Sequence, residues 1–177
     1  PKQPRGNKPV FEEDLQSWSA PFAMATLNTR NVHRSNMLMG FPYGRDFVYD
    51  EMVLTGTGDE GQANAKLVMA ANSEKTGPNA LKPGEGPSKE ERDSGHYDLL
   101  YVAIAPDGRQ VRAAVKGDLD PGYASTAKMV SECAVCLRRD TPDVPAGLWT
   151  PGAAMQHKLI KRLRENAGLT FEVEAQT

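Results

Sequence analysis

Residues 97–116, YDLLYVAIAPDGRQVRAAVK, decide the fold. Two apolar runs, 97–105 and 110–116, flank Pro106-Asp107-Gly108-Arg109. Proline presets φ and glycine accepts a positive φ, so this stretch predicts a β-hairpin. Immediately downstream, residues 123–139 predict a helix. Tyr123, Ala127, Val130, Ala134 and Leu137 line up as one apolar stripe, read as its buried face, with Lys128, Glu132 and Arg139 pointing the other way. Thr150-Pro151 supplies an N-cap and a first-turn proline to a further helix, with Met155, Leu159, Ile160 and Leu163 on one face and Gly168 as its stop. Leu169, Phe171 and Val173 alternate as in a last strand.

Working towards the N-terminus, Ser88-Lys-Glu-Glu91 is a capping box that starts a short helix ended by Gly95. Residues 76–87 are rich in Gly and Pro and predict a loop. Residues 59–74 predict a helix, and 46–54 (DFVYDEMVL) a strand. Pro21 precedes a helix over 22–39, closed by Gly40 and Pro42. Residues 1–17 read as a linker or extended lead-in, and 18–177 as one domain of the substrate-side or dimerisation type. The fold class expected is α+β, a mostly antiparallel or mixed sheet of about four or five strands with helices packed on it and no complete Rossmann unit.

The 177 residues suffice for one ordinary domain. Lys plus Arg number 21 and Asp plus Glu 23, a balance that argues against a nucleic-acid partner or an anionic membrane. The longest wholly apolar run, 99–105, falls well short of the roughly 20 residues that span a bilayer. Two cysteines build no disulfide framework, so a cytoplasmic location is expected. The first residue is proline, which reads as the continuation of something longer.

Gly56-Thr-Gly58-Asp-Glu-Gly61 matches the dinucleotide-binding G-x-G-x-x-G pattern. Asp59 and Glu60 would set like charge against a pyrophosphate, and a Pro/Gly loop stands where a second parallel strand is needed. We therefore read the pattern as a glycine-rich strand-to-helix connection. Cys133-Ala-Val-Cys136 lies inside a helix, away from the N-terminal position that activates a redox pair, and no metal site is expected. The three histidines show no ligand spacing.

The first helix carries the candidate site. Asn28 and Ser35, one heptad apart, fall on the apolar face of Met24, Ala25, Val32 and Met39 and need partners there. Arg30 and Arg34 sit four residues apart on the other face, where an acidic side chain or an anionic ligand is expected.

Several stretches resemble the region that follows the nucleotide-binding part of saccharopine dehydrogenase-like oxidoreductases, the trans-acting enoyl reductase branch above all. They are Trp18-Ser-Ala-Pro-Phe22 with Leu27-Asn28-Thr29-Arg30 and Arg34-Ser35-Asn36; Gly84-Glu-Gly86-Pro87-Ser88 with Arg92; Asp120-Pro121-Gly122-Tyr123; Leu148-Trp-Thr150-Pro151; and Ala167-Gly168-Leu169. The resemblance implies hydride transfer with NAD(P), the cofactor held by an N-terminal Rossmann domain of the same polypeptide upstream of Pro1 and none bound by this chain alone. It also implies a small-molecule or lipid-like substrate such as an enoyl thioester, lipid association, and a homodimer. Asn28, Arg30, Arg34, Ser35 and Asn36 are the motif positions that would face substrate or cofactor. A non-catalytic binding or dimerisation module and an amino-acid saccharopine-type dehydrogenase are the alternative readings.

Overall fold

The computed structural model describes residues 1–74, 82 and 84–176. The chain divides into two compact units, Pro1–Pro83 and Gly84–Thr177.

Unit 1 contains β1 (Val10–Glu12), β2 (Ser17–Pro21), α1 (Ala25–Leu38), β3 (Met52–Gly56) and α2 (Gly58–Glu74). The strands form an antiparallel sheet in the order β1-β2-β3, with Val10 opposite Ser19 and Ser19 opposite Leu54. α2 packs on β2 and β3 through small residues: Ala20 and Ala65 are fully buried. The strand expected over 46–54 is displaced, and regular pairing starts only at Met52. Ahead of it, the Gln3 side chain takes the backbone groups that a strand would need, donating to the Phe47 carbonyl (3.2 Å) and accepting from the Tyr49 amide (3.0 Å). Gln3 and β1 both belong to the stretch read as a lead-in.

Unit 2 contains α3 (Lys89–Ser94), β4 (Tyr97–Ile104), β5 (Gln110–Gly117), α4 (Ala124–Arg139), α5 (Pro151–Asn166) and β6 (Leu169–Gln176). The expected hairpin is present in full register, Tyr97 opposite Gly117 and Ile104 opposite Gln110. β6 returns antiparallel on the other side of β5, with Leu169 opposite Gly117. The fold is thus α+β and antiparallel, with six strands among the described residues shared between two three-stranded sheets. That is fewer strands per sheet than expected, because β3 pairs with β2 and not with the hairpin.

The core of unit 2 is Cys136, Met155, Leu159, Leu163, Ala167 and Leu169, with Met129, Val115 and Phe171 packed against it. Three of the four apolar residues assigned to one face of α5 are buried in it, and Ile160 stays 39% exposed. α4 differs from expectation. Its stripe points outward, with Tyr123 48%, Val130 62% and Leu137 48% exposed, while Ser125, Met129 and Cys136 face the core. Polar contacts fix this rotation. The Tyr97 hydroxyl lies 2.8 Å from Ser125 Oγ, and Glu132 accepts from Arg162 of α5 at 2.9 Å. Arg162 also bonds Asp140, which holds that carboxyl below its usual range and raises the guanidinium further. α5 is broken at Gln156, whose φ is 46°. No helix among the described residues is long and apolar enough to cross a membrane.

Candidate functional site

α1 starts without a side-chain cap and ends in a turn that Asn36 builds. Asn36 is buried, and its amide donates to the Gly44 carbonyl (2.9 Å) and accepts from the Tyr43 amide (3.0 Å). Its own carbonyl takes the Phe41 amide at 2.7 Å. These bonds hold Phe41 at a φ of 66° between Gly40 and Gly44, both also at positive φ. The Arg45 guanidinium covers the Phe41 ring at 4.2 Å. Asn36 therefore shapes the loop that leaves the helix.

Asn28 finds the partner that its position demanded. Its amide donates to one oxygen of Glu51 at 2.8 Å, and the Tyr49 hydroxyl donates to the other at 2.6 Å. All three residues are half-buried, so these are charge-assisted bonds in a partly dry setting. Next to them Phe47 packs on Tyr43 (5.3 Å), Tyr49 (6.1 Å) and the edge of His33 (5.5 Å). His33 Nε2 is enclosed and has no hydrogen-bond partner among the described residues.

The remaining positions of the motif behave differently. Ser35 bonds back to the Asn31 carbonyl of its own helix at 2.8 Å. Arg30 and Arg34 are exposed on the helix surface. The structure thus joins Asn28 to a Tyr49–Glu51 pair, gives Asn36 to the loop, and leaves two cations at the surface. Tyr49, Glu51 and His33 were missed as site residues. The signal for Tyr49 and Glu51 is the i, i+2, i+4 series Phe47, Tyr49, Glu51, inside a stretch whose density of β-branched and aromatic residues reads as a strand.

In unit 2 other stretches quoted for the resemblance meet around Asp120. Its carboxylate accepts the backbone amides of Gly122 (3.0 Å), Tyr123 (2.8 Å) and Ala124 (2.9 Å) at the head of α4. The bond from Ala124 does most to hold its pKa below the ordinary 3.8. The Asp120 amide donates to the Arg92 carbonyl (3.0 Å), and Arg92 donates to the Pro87 carbonyl (2.7 Å). Ser88 and Glu91 form the expected capping box, whose bonds lower the Glu91 pKa.

The glycine pattern at 56–61 joins β3 to α2. A side chain on Gly61 would run into the Gly56 carbonyl, and Thr55 Oγ1 donates to the Gly61 carbonyl at 2.9 Å. The glycines serve a close helix–strand contact in an antiparallel setting, and two acidic residues stand in the first turn of α2. These residues do not fit a pyrophosphate. Burial pushes both cysteine thiols up, and Cys136 belongs to the core. A cleft of about 450 Å³ lined by Asp140, His157, Lys158, Lys161, Arg162 and Glu165 has much of its charge paired internally.

No family model and no solved structure matches this chain. Curated relatives do. A Mycobacterium tuberculosis protein assigned to the trans-acting enoyl reductases is 36% identical over 163 residues. Trans-acting enoyl reductases of Mycobacterium bovis and Mycobacterium ulcerans are each 32% identical over the same length. Each match takes in 82% of this chain and 39% of the relative, so the chain spans about two fifths of the length of the curated relatives it matches, and it is to trans-acting enoyl reductases that it is similar.

Proposed function

We propose that this chain is the substrate-side part of a trans-acting enoyl reductase of the saccharopine dehydrogenase-like group, whose NAD(P)-binding domain belongs to the same polypeptide. The similarity over 82% of the chain to proteins of that name carries the reading. In such an enzyme the nicotinamide supplies hydride to an α,β-unsaturated acyl thioester. Because the 56–61 loop does not fit a pyrophosphate, this chain's part is to bind and orient. Arg30 and Arg34 present two cations on one helix to an anionic portion of the substrate or cofactor. Asn28, fixed by Glu51, and Ser35 lie along the same helix and orient the reacting end. Asn36 keeps the loop over 40–44 in place.

The test is an assay of the full-length polypeptide for NADPH oxidation with a crotonyl thioester. Asn28→Ala and Arg34→Ala are each expected to lower kcat/KM by about tenfold or more. Unchanged turnover and KM in both variants would overturn the site. Turnover of an amino-acid substrate instead would favour a saccharopine-type dehydrogenase, and no turnover of either a non-catalytic module. Titration of the present chain with NADPH is expected to show no specific binding; stoichiometric binding would overturn the reading of the glycine loop.

A further inference from the structure

The amide of Asn28 has two unlike ends, and its neighbours fix which of them faces outward. Glu51 accepts from Nδ2 at 2.8 Å and takes the Tyr49 hydroxyl on its other oxygen at 2.6 Å. A carboxylate accepts and does not donate, so the amide cannot turn over without setting Oδ1 against an anion. Gln3 secures the arrangement from behind, because it bonds the Phe47 carbonyl and the Tyr49 amide of the segment that carries both partners. Oδ1 is left as the outward group. It has no hydrogen-bond partner among the described residues and is not enclosed.

We infer that Asn28 Oδ1 accepts an amide N–H from the thiol arm of the substrate and does not hold the thioester oxygen. This rests on the enoyl thioester reading above and adds the polarity of the contact. Hydride addition to the β-carbon moves negative charge onto the thioester oxygen, so the group that holds that oxygen must donate. Oδ1 and the Glu51 carboxylate both repel it. The remaining N–H of Nδ2 belongs to a group already 2.8 Å from a full negative charge, which disfavours a second anion there. A donor is attracted by both oxygens.

The surroundings select a neutral donor flanked by carbon. Met24 lies one helical turn earlier, its carbonyl taking the Asn28 amide at 3.0 Å, and its side chain is 46% exposed. It offers apolar surface to the carbons on either side of an amide, which an ammonium donor lacks. Acyl thioesters borne on pantetheine carry such an N–H two carbons from the sulfur. A hydrogen bond there fixes the arm next to the reacting end.

The full-length polypeptide is assayed with two crotonyl thioesters, one of N-acetylcysteamine and one of its O-acetyl counterpart, in which an ester oxygen replaces the N–H. The wild type is expected to favour the amide by about three- to tenfold in kcat/KM. Asn28→Ala is expected to treat the two alike. General loss of structure would lower both rates and leave their ratio unchanged. Glu51→Gln lets the Asn28 amide turn over and should weaken the preference. Asn28→Asp combined with Glu51→Gln should restore it, because the introduced glutamine donates to one aspartate oxygen and leaves the other outward. Equal kcat/KM in the wild type would overturn the inference while enoyl reduction stands. A preference that persists in Asn28→Ala would overturn it too, and a double variant without preference would overturn Glu51 as the orienting group. No turnover of either thioester would overturn the enoyl reductase reading and the inference with it.

Discussion

Asn28 and Tyr49 share one carboxylate, each donating to a different oxygen of Glu51, at 2.8 and 2.6 Å. Glu51→Ala leaves both donors without their acceptor. Because hydrogen bonds to charged groups contribute about 1.5–3 kcal/mol each and two are lost, a loss of about 3 kcal/mol or more is expected. Glu51→Gln, which retains one acceptor, should recover part of it. Urea unfolding followed by Trp18, which lies on β2 of the same unit, reads the change once Trp149 is replaced by Phe. An unchanged midpoint would show that the carboxylate is not gripped.

Asn36 serves the loop with both ends of its amide. Asn36→Ala strands the Tyr43 amide and the Gly44 carbonyl, and a loss of about 1–3 kcal/mol is expected in the same measurement. Asn36→Asp keeps the acceptor but buries a charge, and should be worse at neutral pH than at pH 4.

Gly61 reverses an ordinary rule. Gly→Ala within a helix usually stabilises by about 1 kcal/mol. Here the added methyl would overlap the Gly56 carbonyl, so Gly61→Ala is expected to destabilise by about 1–3 kcal/mol. Thermal unfolding gives the sign directly.

Asp120 links stability to pH. Its pKa is lowered in the folded state by the three amides it accepts, so the unfolded chain binds the proton more readily. Its contribution is fully present above the ordinary 3.8 and is lost as pH falls through the lower folded value. Glu91 and Asp140 act in the same direction. Asp120→Asn should be less stable than wild type at pH 6 and approach it near pH 2. A constant difference between the two across that range would rule out the linkage.

Much of unit 2 was legible because its signals are local. The Pro106-Asp107-Gly108-Arg109 turn and the Ser88 capping box each specify structure through neighbours in sequence. The rotation of α4 was not, since periodicity finds a stripe but does not say what meets it. The inward face uses Ser125, Met129, Cys133 and Cys136, and Tyr97 and Arg162 set it from far along the chain. Thr150 precedes α5 as expected, yet makes no side-chain cap. β1 and β2 were hidden by brevity and by buried serines: Ser19 is fully enclosed and donates to Glu12 at 2.6 Å. In the candidate site, the helix face picked out Asn28, but its partner Glu51 lies across a stretch whose backbone is spoken for by Gln3.

β6 pairs with β5 only after both helices have been inserted between them in sequence. A ribosome delivers the hairpin first, with Val115 waiting for Phe171 and Leu169 to arrive. Until the last strand emerges, β5 keeps one bare edge, the kind of edge to which a chaperone or another nascent chain can add. Unit 2 is thus completed at the end of its own synthesis, and a ribosome that stops before residue 169 releases an open sheet.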